Sequence, residues 1–299
     1  SGSSGGMLGG VRPPSAATIA PVDGRHRWIT MIMRPGAERP AEPTAEQAVE
    51  VIRRAVGAPV EPRIVGIATW RISAQVAARW RAGRVFLAGD AAHSFPPTGG
   101  FGMNTGVQDV HNLVWKLAMV LDGRAGDRLL DSYQAERKPV AESNAAWSVA
   151  NGARFRKIGR AIAAGDDAAL AGLIEDQRAH VDATDQDLGF GYRAGAVVGP
   201  GAGPALVTAV AGHRFPEAPV LVGDATASSV RTLADAFHLV TADERWAAAA
   251  PVAVARPRTG VLGAHEAALV RPDGIVAWTA GAHADPRAAI DRVFRELLW

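Results

Sequence analysis

The stretch from Arg84 to Ala118 constrains the fold more than any other part of the sequence, because it joins three different patterns in a fixed order. The apolar run RVFLA at its start predicts a short strand buried on both faces. A segment rich in glycine and proline follows, and the pattern after Met103 predicts a long, mostly buried helix. That helix prediction rests on apolar residues spaced by three and four: Val107, Val110, Val114, Leu117 and Leu121.

The glycine-rich segment between the strand and the helix is the candidate binding site. Loops with so little side-chain bulk allow a ligand to approach the backbone closely. The carboxylate of Asp90 can accept hydrogen bonds from sugar-like hydroxyl groups, and the amides from Gly102 to Asn104 can stabilise negative charge at the helix N-terminus. A purely structural interpretation is also open, in which Asp90 caps a helix and the glycines only make turns.

Composition excludes several kinds of chemistry. The chain has 299 residues, of which 48% are hydrophobic and 21% charged, an ordinary globular balance that favours two domains at this length. A formal net charge of +2 gives no reason to expect a nucleic-acid partner. Because there is no cysteine, disulfides, thiolate metal sites, iron–sulfur clusters and thiol nucleophiles are excluded. Redox chemistry would therefore require a bound cofactor.

The remaining short signals are weak. No apolar run approaches the roughly 18 to 20 residues of a membrane-spanning helix, and the first ten residues do not resemble a signal peptide. We expect residues 1–10 to be a flexible lead and the protein to be cytoplasmic, with no membrane partner. The GxSxG string at Gly2–Gly6 lacks a strand–helix context, and His265-Glu266 lacks a second histidine at Leu269, so neither a serine nucleophile nor a metal site is expected.

Local signals predict further elements before residue 195. Asp23-Gly24 is a turn dipeptide between two apolar runs, and Thr44 with Gln47 forms a capping-box pattern. Pro139 is expected to kink a second long helix. The predicted elements are a hairpin over Thr18–Arg34, a helix over Thr44–Val56, a strand over Arg63–Ile72 and a helix over about Asp127–Val149.

The C-terminal third predicts a compact α/β unit. It opens with a loop over Gly195–Pro204, and a turn at Arg271–Gly274 joins two of its strands. Other strands are predicted over Phe237–Thr241 and Ala267–Val270, and a closing helix over Asp285–Leu298.

Two long stretches resemble a known family. They are RVFLAGDAAHSFPPTGGFGMNTGVQDVHNLVWKLA, from Arg84 to Ala118, and LLDSYQAERKPVA, from Leu129 to Ala141. Both resemble the FAD-dependent aromatic-ring hydroxylases of the para-hydroxybenzoate hydroxylase class, most closely the phenol, chlorophenol and aromatic-polyketide hydroxylases. Further similarity in DGRHRWITM, WRISAQVAARW, LGFGYRAGAVV, GHRFPEAPV and VRPDGIVAW extends the resemblance over nearly the whole chain.

The resemblance implies an α/β fold with three parts after the lead. Residues 11–80 would form part of a substrate-binding sheet domain. Residues 81–194 would form the C-terminal part of a Rossmann-like FAD-binding domain with long helices. Residues 195–299 would form a thioredoxin-like domain, here without redox cysteines.

The resemblance also implies a cofactor and a reaction. Asp90 would bind the ribityl chain of FAD, and Pro97, Gly99 and Gly100 would lie along the isoalloxazine ring. Gly89 would also belong to the cofactor-binding residues. The backbone at Gly102, Met103 and Asn104 would face the flavin N1 and C2 carbonyl. The implied reaction uses NAD(P)H to reduce FAD and O₂ to hydroxylate an activated aromatic ring. No catalytic side chain is carried over from the family.

One family element is missing from the sequence. The strand and GxGxxG turn that bind the FAD pyrophosphate have no match in these 299 residues. We therefore expect this chain alone to bind FAD weakly or not at all. Three explanations stay open: a fragment of a longer reading frame, one half of a split enzyme, or a truncated homologue acting as a non-catalytic binding or interaction module. A homodimer is a further expectation from the resemblance.

Several other side chains have two interpretations. His93 lies in the glycine-rich segment and is either a polar contact near the cofactor or an ordinary loop histidine. The side chains of Tyr133, Glu136 and Arg137 are either catalytic groups or, as we predict, a polar anchor between helices. The side chains of Trp70 and Trp80 either line a substrate cavity or belong to a core.

Overall fold

The computed structural model describes residues 17–32, 41–203, 205–258, 260–282 and 285–299. The predicted lead at residues 1–10 and the GxSxG string lie outside the described residues. The described chain forms two compact units, one from residues up to Ile72 together with Arg154–Glu175, the other from Ser73–Ala153 together with Asp176–Trp299. The domain boundaries after residues 80 and 194 remain predictions.

The first unit begins with the predicted hairpin. Strands β1 (Ala17–Pro21) and β2 (Trp28–Ile32) pair antiparallel. The Asp23 carboxylate closes the turn by accepting backbone hydrogen bonds from residues 25, 26 and 27 at 2.8–2.9 Å. These donors, with that of Arg27 strongest, lower the pKa of Asp23 to about 2. The hairpin prediction is confirmed over its described residues.

Helix α1 (Ala45–Val56) follows in the first unit and has both predicted ends. Thr44 accepts from the Gln47 N–H while the Gln47 side chain accepts from the Thr44 N–H, which completes the capping box. The helix ends at Gly57 in the left-handed region, with φ of 72°.

The predicted strand over Arg63–Ile72 is wrong. These residues form no strand, and Val65 and Trp70 are 76% and 60% exposed. A β-rich run becomes a strand only when it pairs with a neighbouring strand, and no strand of the described residues pairs with this run.

The second unit opens with four very short strands. They are β3 (Gln75–Val76), β4 (Arg81–Ala82), β5 (Val85–Phe86) and β6 (His93–Ser94). β3 pairs with β6, and β4 pairs with β5, both antiparallel. The prediction of a doubly buried strand over RVFLA is therefore wrong: only Val85 and Phe86 are in a strand, and Val85 is 64% exposed. Its one described partner is itself two residues long.

Helix α2 (Phe101–Leu121) matches the predicted length but not the predicted buried face. Val107, Val110 and Val114 are 49–64% exposed, and Leu121 is 79% exposed. Half of the buried residues of α2 are instead polar, because Thr105, Asp109, Asn112 and Lys116 find partners there. We call the exposed row Met103, Val107, Val110, Val114 and Leu121 the outer face of α2.

Helices follow α2 in the next part of the chain. The residues Asp127–Leu130 form a 3-10 turn, and the helix after it continues through Pro139. The helices are α3 (Asp131–Ala164), α4 (Asp167–Asp176), α5 (Arg178–Val181) and α6 (Thr184–Asp187). The predicted second long helix is confirmed, although it starts four residues later and ends well beyond Val149. Residues 195–203 contain neither helix nor strand, as predicted for that loop.

The C-terminal part of the second unit is built on a mixed sheet. Its elements are β7 (Pro219–Val222), β8 (Ala225–Ser228), α7 (Ser229–Thr232), β9 (His238–Thr241), α8 (Glu244–Ala249), β10 (Ala253–Pro257), β11 (Ala267–Val270), β12 (Val276–Ala280) and α9 (Pro286–Leu298). The strand order is β12-β11-β9-β10-β7-β8, in which only β9 and β10 run parallel. The strands and the closing helix predicted here are confirmed, and Asp285 caps that helix through the Ala288 N–H at 2.9 Å.

One hydrophobic core joins α2 to this sheet. Trp115 and Met119 of α2 pack with Leu269 of β11, Trp278 of β12 and Val293 of α9, all less than 10% exposed. The buried face of α2 is thus held in place by the C-terminal sheet. Among the helices of the described residues, none combines the length and apolar character that a membrane crossing needs.

Candidate functional site

The candidate site begins at a turn that exposes a carboxylate. Gly89–Ala91 form a single 3-10 turn directly after β5, and Asp90 is exposed on it. The Gly89 N–H donates to Oδ2 of Asp109 on α2 at 3.2 Å, which fixes the turn against the helix. The Asp90 side chain is thereby held at the surface, accessible to a ligand.

The second part of the site is the N-terminus of α2. Gly99 and Gly100 have φ of 119° and 74°, a backbone conformation that favours glycine, and a Cβ on Gly99 would lie 2.6 Å from the Phe101 ring. Gly100 caps the helix without a side chain. The N–H groups of the first turn therefore have no acceptor within the helix, and their partial positive charge favours an anion.

Most of the predicted site residues are exposed. Thr98 anchors the loop to α3 by donating to the Ser148 carbonyl at 2.6 Å. A Cβ added at Gly100 or Gly102 would meet no atom within 4 Å. The exposed members of the predicted set are Asp90, Pro97, Gly99, Gly100, Met103 and Asn104, while Gly89 and Gly102 are half-buried.

A buried group of polar side chains centres on Asp109 of α2. Nε2 of His93 is 2.7 Å from Oδ2 of Asp109, and Nε of Arg137 donates to Oδ1 of the same carboxylate at 2.9 Å. The three side chains are fully buried. Nδ1 of His93 has no partner, and the imidazole stacks on Phe95 with centroids 4.6 Å apart. His93 is thus buried against Asp109 and Phe95 and is not exposed to a ligand.

A second buried cluster centres on Glu136. Its carboxylate accepts from Nζ of Lys116 at 2.8 Å and from Nη1 and Nη2 of Arg271 at 2.9 Å each. Asp273 also pairs with Arg271 at 2.5 Å. Glu136, on α3, thus links α2 to the turn between β11 and β12, and we call these four side chains the Glu136 cluster.

The Glu136 cluster shifts two pKa values strongly. Burial alone would raise the pKa of Glu136, but the positive charges of Arg271 and Lys116 outweigh it and lower the pKa to about 2. Burial lowers the pKa of Lys116 to about 8, against the attraction of Glu136. Both groups are charged at neutral pH, so the cluster contains two cations and two carboxylates.

The predicted polar anchor is present and larger than expected. Glu136 and Arg137 connect α3 to α2, and Tyr133 donates to the Leu87 carbonyl at 2.8 Å. Sequence reasoning missed Arg271 and Asp273, which it treated only as turn residues. It also missed Asp109, although a carboxylate among apolar helix residues was a signal that could have revealed it.

The two candidate tryptophans, Trp70 and Trp80, differ in burial. Trp80 is fully buried among Tyr133 and His93, so it belongs to a core, whereas Trp70 is 60% exposed. Within the described part of the chain, no group of three or more histidine, aspartate or glutamate side chains could hold a metal ion.

Comparison with known proteins places the chain in a family. Residues 3–148 match the family described as FAD binding domain, and residues 208–298 match aromatic-ring hydroxylase, C-terminal. The chain belongs to the FAD-dependent aromatic-ring hydroxylases. The match includes the glycine-rich segment and makes FAD the cofactor of this domain.

Named relatives and solved structures agree. The chain is 35% identical to aklavinone 12-hydroxylase RdmE of Streptomyces purpurascens, over 96% of this chain and 57% of that protein. It is 38% identical to 4-methyl-5-nitrocatechol 5-monooxygenase of a Burkholderia species, over 89% and 53%. A structure of aklavinone-11 hydroxylase with FAD and aklavinone superposes with a TM-score of 0.79 at 34% identity, covering 96% of this chain and 58% of that one. The α/β FAD-binding fold is confirmed, and the chain spans about half the length of these relatives.

The residues present fit one part of FAD. The open backbone at Gly100 and Gly102, the uncapped start of α2 and the exposed Asp90 offer a surface free of side chains, an anion-stabilising helix end and a hydroxyl acceptor. A flavin ring and its ribityl chain need these three features. The pyrophosphate needs the GxGxxG turn that the sequence lacks, so the fit covers the ribityl chain and the ring only.

Proposed function

We propose that this chain forms the ribityl and ring half of the FAD site of an aromatic hydroxylase. With a nucleotide-binding polypeptide, it would hydroxylate a phenolic or polyketide ring using NAD(P)H and O₂. The observations that carry the proposal are the N-terminus of α2, which has no side-chain cap, and the exposed carboxylate of Asp90 on a turn that contacts the same helix at Gly106 and Asp109. The names of the relatives support the substrate class, since they include an aklavinone hydroxylase and a nitrocatechol monooxygenase.

Each predicted site residue has a role in this proposal. Asp90, presented by Gly89, accepts hydrogen bonds from the ribityl hydroxyls. Pro97, Gly99 and Gly100 form the surface along the ring, since glycine leaves it free of side chains. The N–H groups at Gly102, Met103 and Asn104 stabilise negative charge on the reduced ring by the helix dipole. When bound, FAD supplies the redox chemistry.

The outer face of α2 supports the need for more polypeptide at this site. Met103 and Leu121, at its two ends, are 78% and 79% exposed, and the valines between them continue one apolar row. Apolar rows of this length are usually covered by protein. We propose that the nucleotide-binding polypeptide covers it, whether it belongs to the same chain or to a separate one.

The proposal also includes the type of the C-terminal domain, the location of the enzyme and its oligomeric state. The mixed sheet of residues 219–280 is compatible with a thioredoxin-like domain, and a cytoplasmic, homodimeric enzyme fits the family. If the chain is instead a non-catalytic module, it will not support hydroxylation with any nucleotide-binding partner.

Reconstitution tests the proposed function. The chain is produced together with a GxGxxG-containing N-terminal half from one of the relatives, and the purified complex is assayed with an anthracyclinone such as aklavinone. We expect a yellow complex that oxidises NADH or NADPH faster when the aromatic compound is present and releases a product heavier by one oxygen. A colourless complex, or a yellow one without hydroxylated product, contradicts the proposal.

Replacing Asp90 with Ala should weaken FAD binding by this reconstituted complex about 10- to 100-fold, because a charged acceptor for the ribityl hydroxyls is lost. The unfolding temperature should not change, since Asp90 is exposed. Flavin fluorescence titration measures the affinity. Asp122→Ala, an exposed carboxylate at the other end of α2, is the matched control and should leave the affinity unchanged. Equal affinity in wild type and Asp90→Ala would remove Asp90 from the site.

A further inference from the structure

The buried carboxylate of Asp109 holds three segments of the chain together. It accepts from the Gly89 N–H at 3.2 Å, lies 2.7 Å from Nε2 of His93 and accepts from Nε of Arg137 at 2.9 Å. Its side chain is fully buried, so it cannot touch a ligand on the exposed surface. Its influence on that surface must pass through the groups that it binds.

The turn and the helix also meet at bare backbone. A Cβ added at Gly106 would lie 3.1 Å from the Cα of Gly89, closer than ordinary van der Waals contact. Gly106 precedes Asp109 by three residues, so both lie on the same face of α2. The turn therefore sits on the helix at Gly106 and is fastened to it at Asp109.

This arrangement relates the two parts of the proposed flavin surface. Gly89 opens the turn that exposes Asp90, and α2 carries the uncapped amides at its start. We propose that Asp109 is a positioning residue for the flavin site, which fixes the distance between the Asp90 carboxylate and the N-terminus of α2. This inference rests on the proposed function. A purely structural Asp109 would only neutralise Arg137 and would not affect Asp90.

A double-mutant cycle separates the two roles. FAD affinity is measured by fluorescence titration for the reconstituted complex in four forms: wild type, Asp109→Asn, Asp90→Ala and the double variant. If Asp109 acts through the Asp90 turn, Asp109→Asn weakens binding about tenfold in wild type but about twofold or less when Asp90 is already absent. An equal effect in both backgrounds overturns the proposal. Asp122→Asn serves as the charge-matched control and should change neither affinity.

A second variant keeps the test valid if Asp109→Asn does not fold. Gly106→Ala retains every buried charge but pushes the turn away from α2. Its effect on FAD affinity is measured with and without Asp90→Ala, and we expect a smaller effect when Asp90 is already absent. Gly159→Ala is its control, because this helical glycine has nothing within 4 Å of an added Cβ. Additive effects of Gly106→Ala and Asp90→Ala overturn the proposal.

Hydrogen exchange makes the result independent of flavin binding. In the chain without flavin, we expect Asp109→Asn and Gly106→Ala to speed exchange of the Gly89 amide about tenfold at a temperature where both are folded. Unchanged exchange in both variants contradicts the proposal whether or not flavin binds. If the wild-type complex binds no flavin while the variants speed exchange, the proposed function fails and the positioning of the turn by Asp109 stands.

Discussion

Replacing Glu136 with Gln is expected to lower the free energy of unfolding by about 3–5 kcal/mol, because it removes one partner from a buried ionic cluster. The carboxylate of Glu136 accepts from Lys116 at 2.8 Å, from Arg271 at 2.9 Å and from the Ala196 N–H at 2.7 Å. Glutamine has nearly the same size but leaves two buried cations with only Asp273 as a counter-charge. Urea-induced unfolding at neutral pH measures the loss.

The matched control is Glu142→Gln on the same helix. Glu142 pairs with Lys138, but its side chain is 51% exposed, so we expect a change of less than about 1 kcal/mol. A loss of less than about 1 kcal/mol for Glu136→Gln as well would show that the Glu136 cluster does not stabilise the fold.

The pH dependence of stability provides an independent test of Glu136. Since the pKa of Glu136 is lowered from 4.5 to about 2, its carboxylate stabilises the folded state above pH 4.5 and loses that effect as the pH falls toward 2. The stability of the wild type should therefore fall more steeply across this range than that of Glu136→Gln. Parallel profiles would contradict the pKa shift.

Replacing Trp80 with Ala should cost about 3–5 kcal/mol, the usual range for removing a buried large aromatic side chain. Trp80 is fully buried, its ring centroid lies 5.6 Å from that of Tyr133, and its Nε1 donates to the Ala77 carbonyl at 3.0 Å. The cavity would open beside His93, whose ring centroid is 5.7 Å away. Urea unfolding measures the loss of stability.

Trp70 provides the control for Trp80. With 60% of it exposed, Trp70→Ala should change the stability by less than about 0.5 kcal/mol. If Trp80→Ala instead left stability unchanged but altered substrate affinity in the reconstituted complex, the cavity interpretation of Trp80 would be correct and the core interpretation wrong.

Elements with local signals could be predicted from the sequence. The capping box at Thr44 and the turn at Asp23 act through hydrogen bonds between residues two to four apart, so the sequence contains both partners side by side. The closing helix was predictable for the same reason, since Asp285 caps it three residues away. The core strand β11 was predictable from a wholly apolar run, and β9 from a short β-rich run.

Elements that depend on distant partners could not be predicted. The run RVFLA and the run over Arg63–Ile72 have the residues of strands, but pairing depends on neighbours that a local pattern does not specify. The apolar row of α2 revealed an amphipathic helix and not which face is buried. That face includes buried polar residues because partners such as Glu136 and Arg271, 135 residues apart, converge on it.

The candidate site also has a part with local sequence signals and a part that depends on distant partners. The glycine-rich segment and Asp90 are contiguous in sequence, and the family resemblance found them together. The buried residues that contact this segment were harder to predict. Asp109 is bonded to Gly89, 20 residues away in sequence, and to Arg137, 28 residues away.

Titration with FAD tests the central claim, that this chain carries the ribityl and ring half of a flavin site, most directly. Flavin fluorescence and thermal stabilisation are followed together, for the chain alone and with the GxGxxG half. We expect a dissociation constant above about 100 μM for FAD binding by the chain alone. With the added half, we expect a constant of about 1 μM or tighter, which corresponds to roughly 8 kcal/mol of binding free energy. Failure of the complex to bind FAD would contradict the claim, as would tight binding by the chain alone that ADP abolishes.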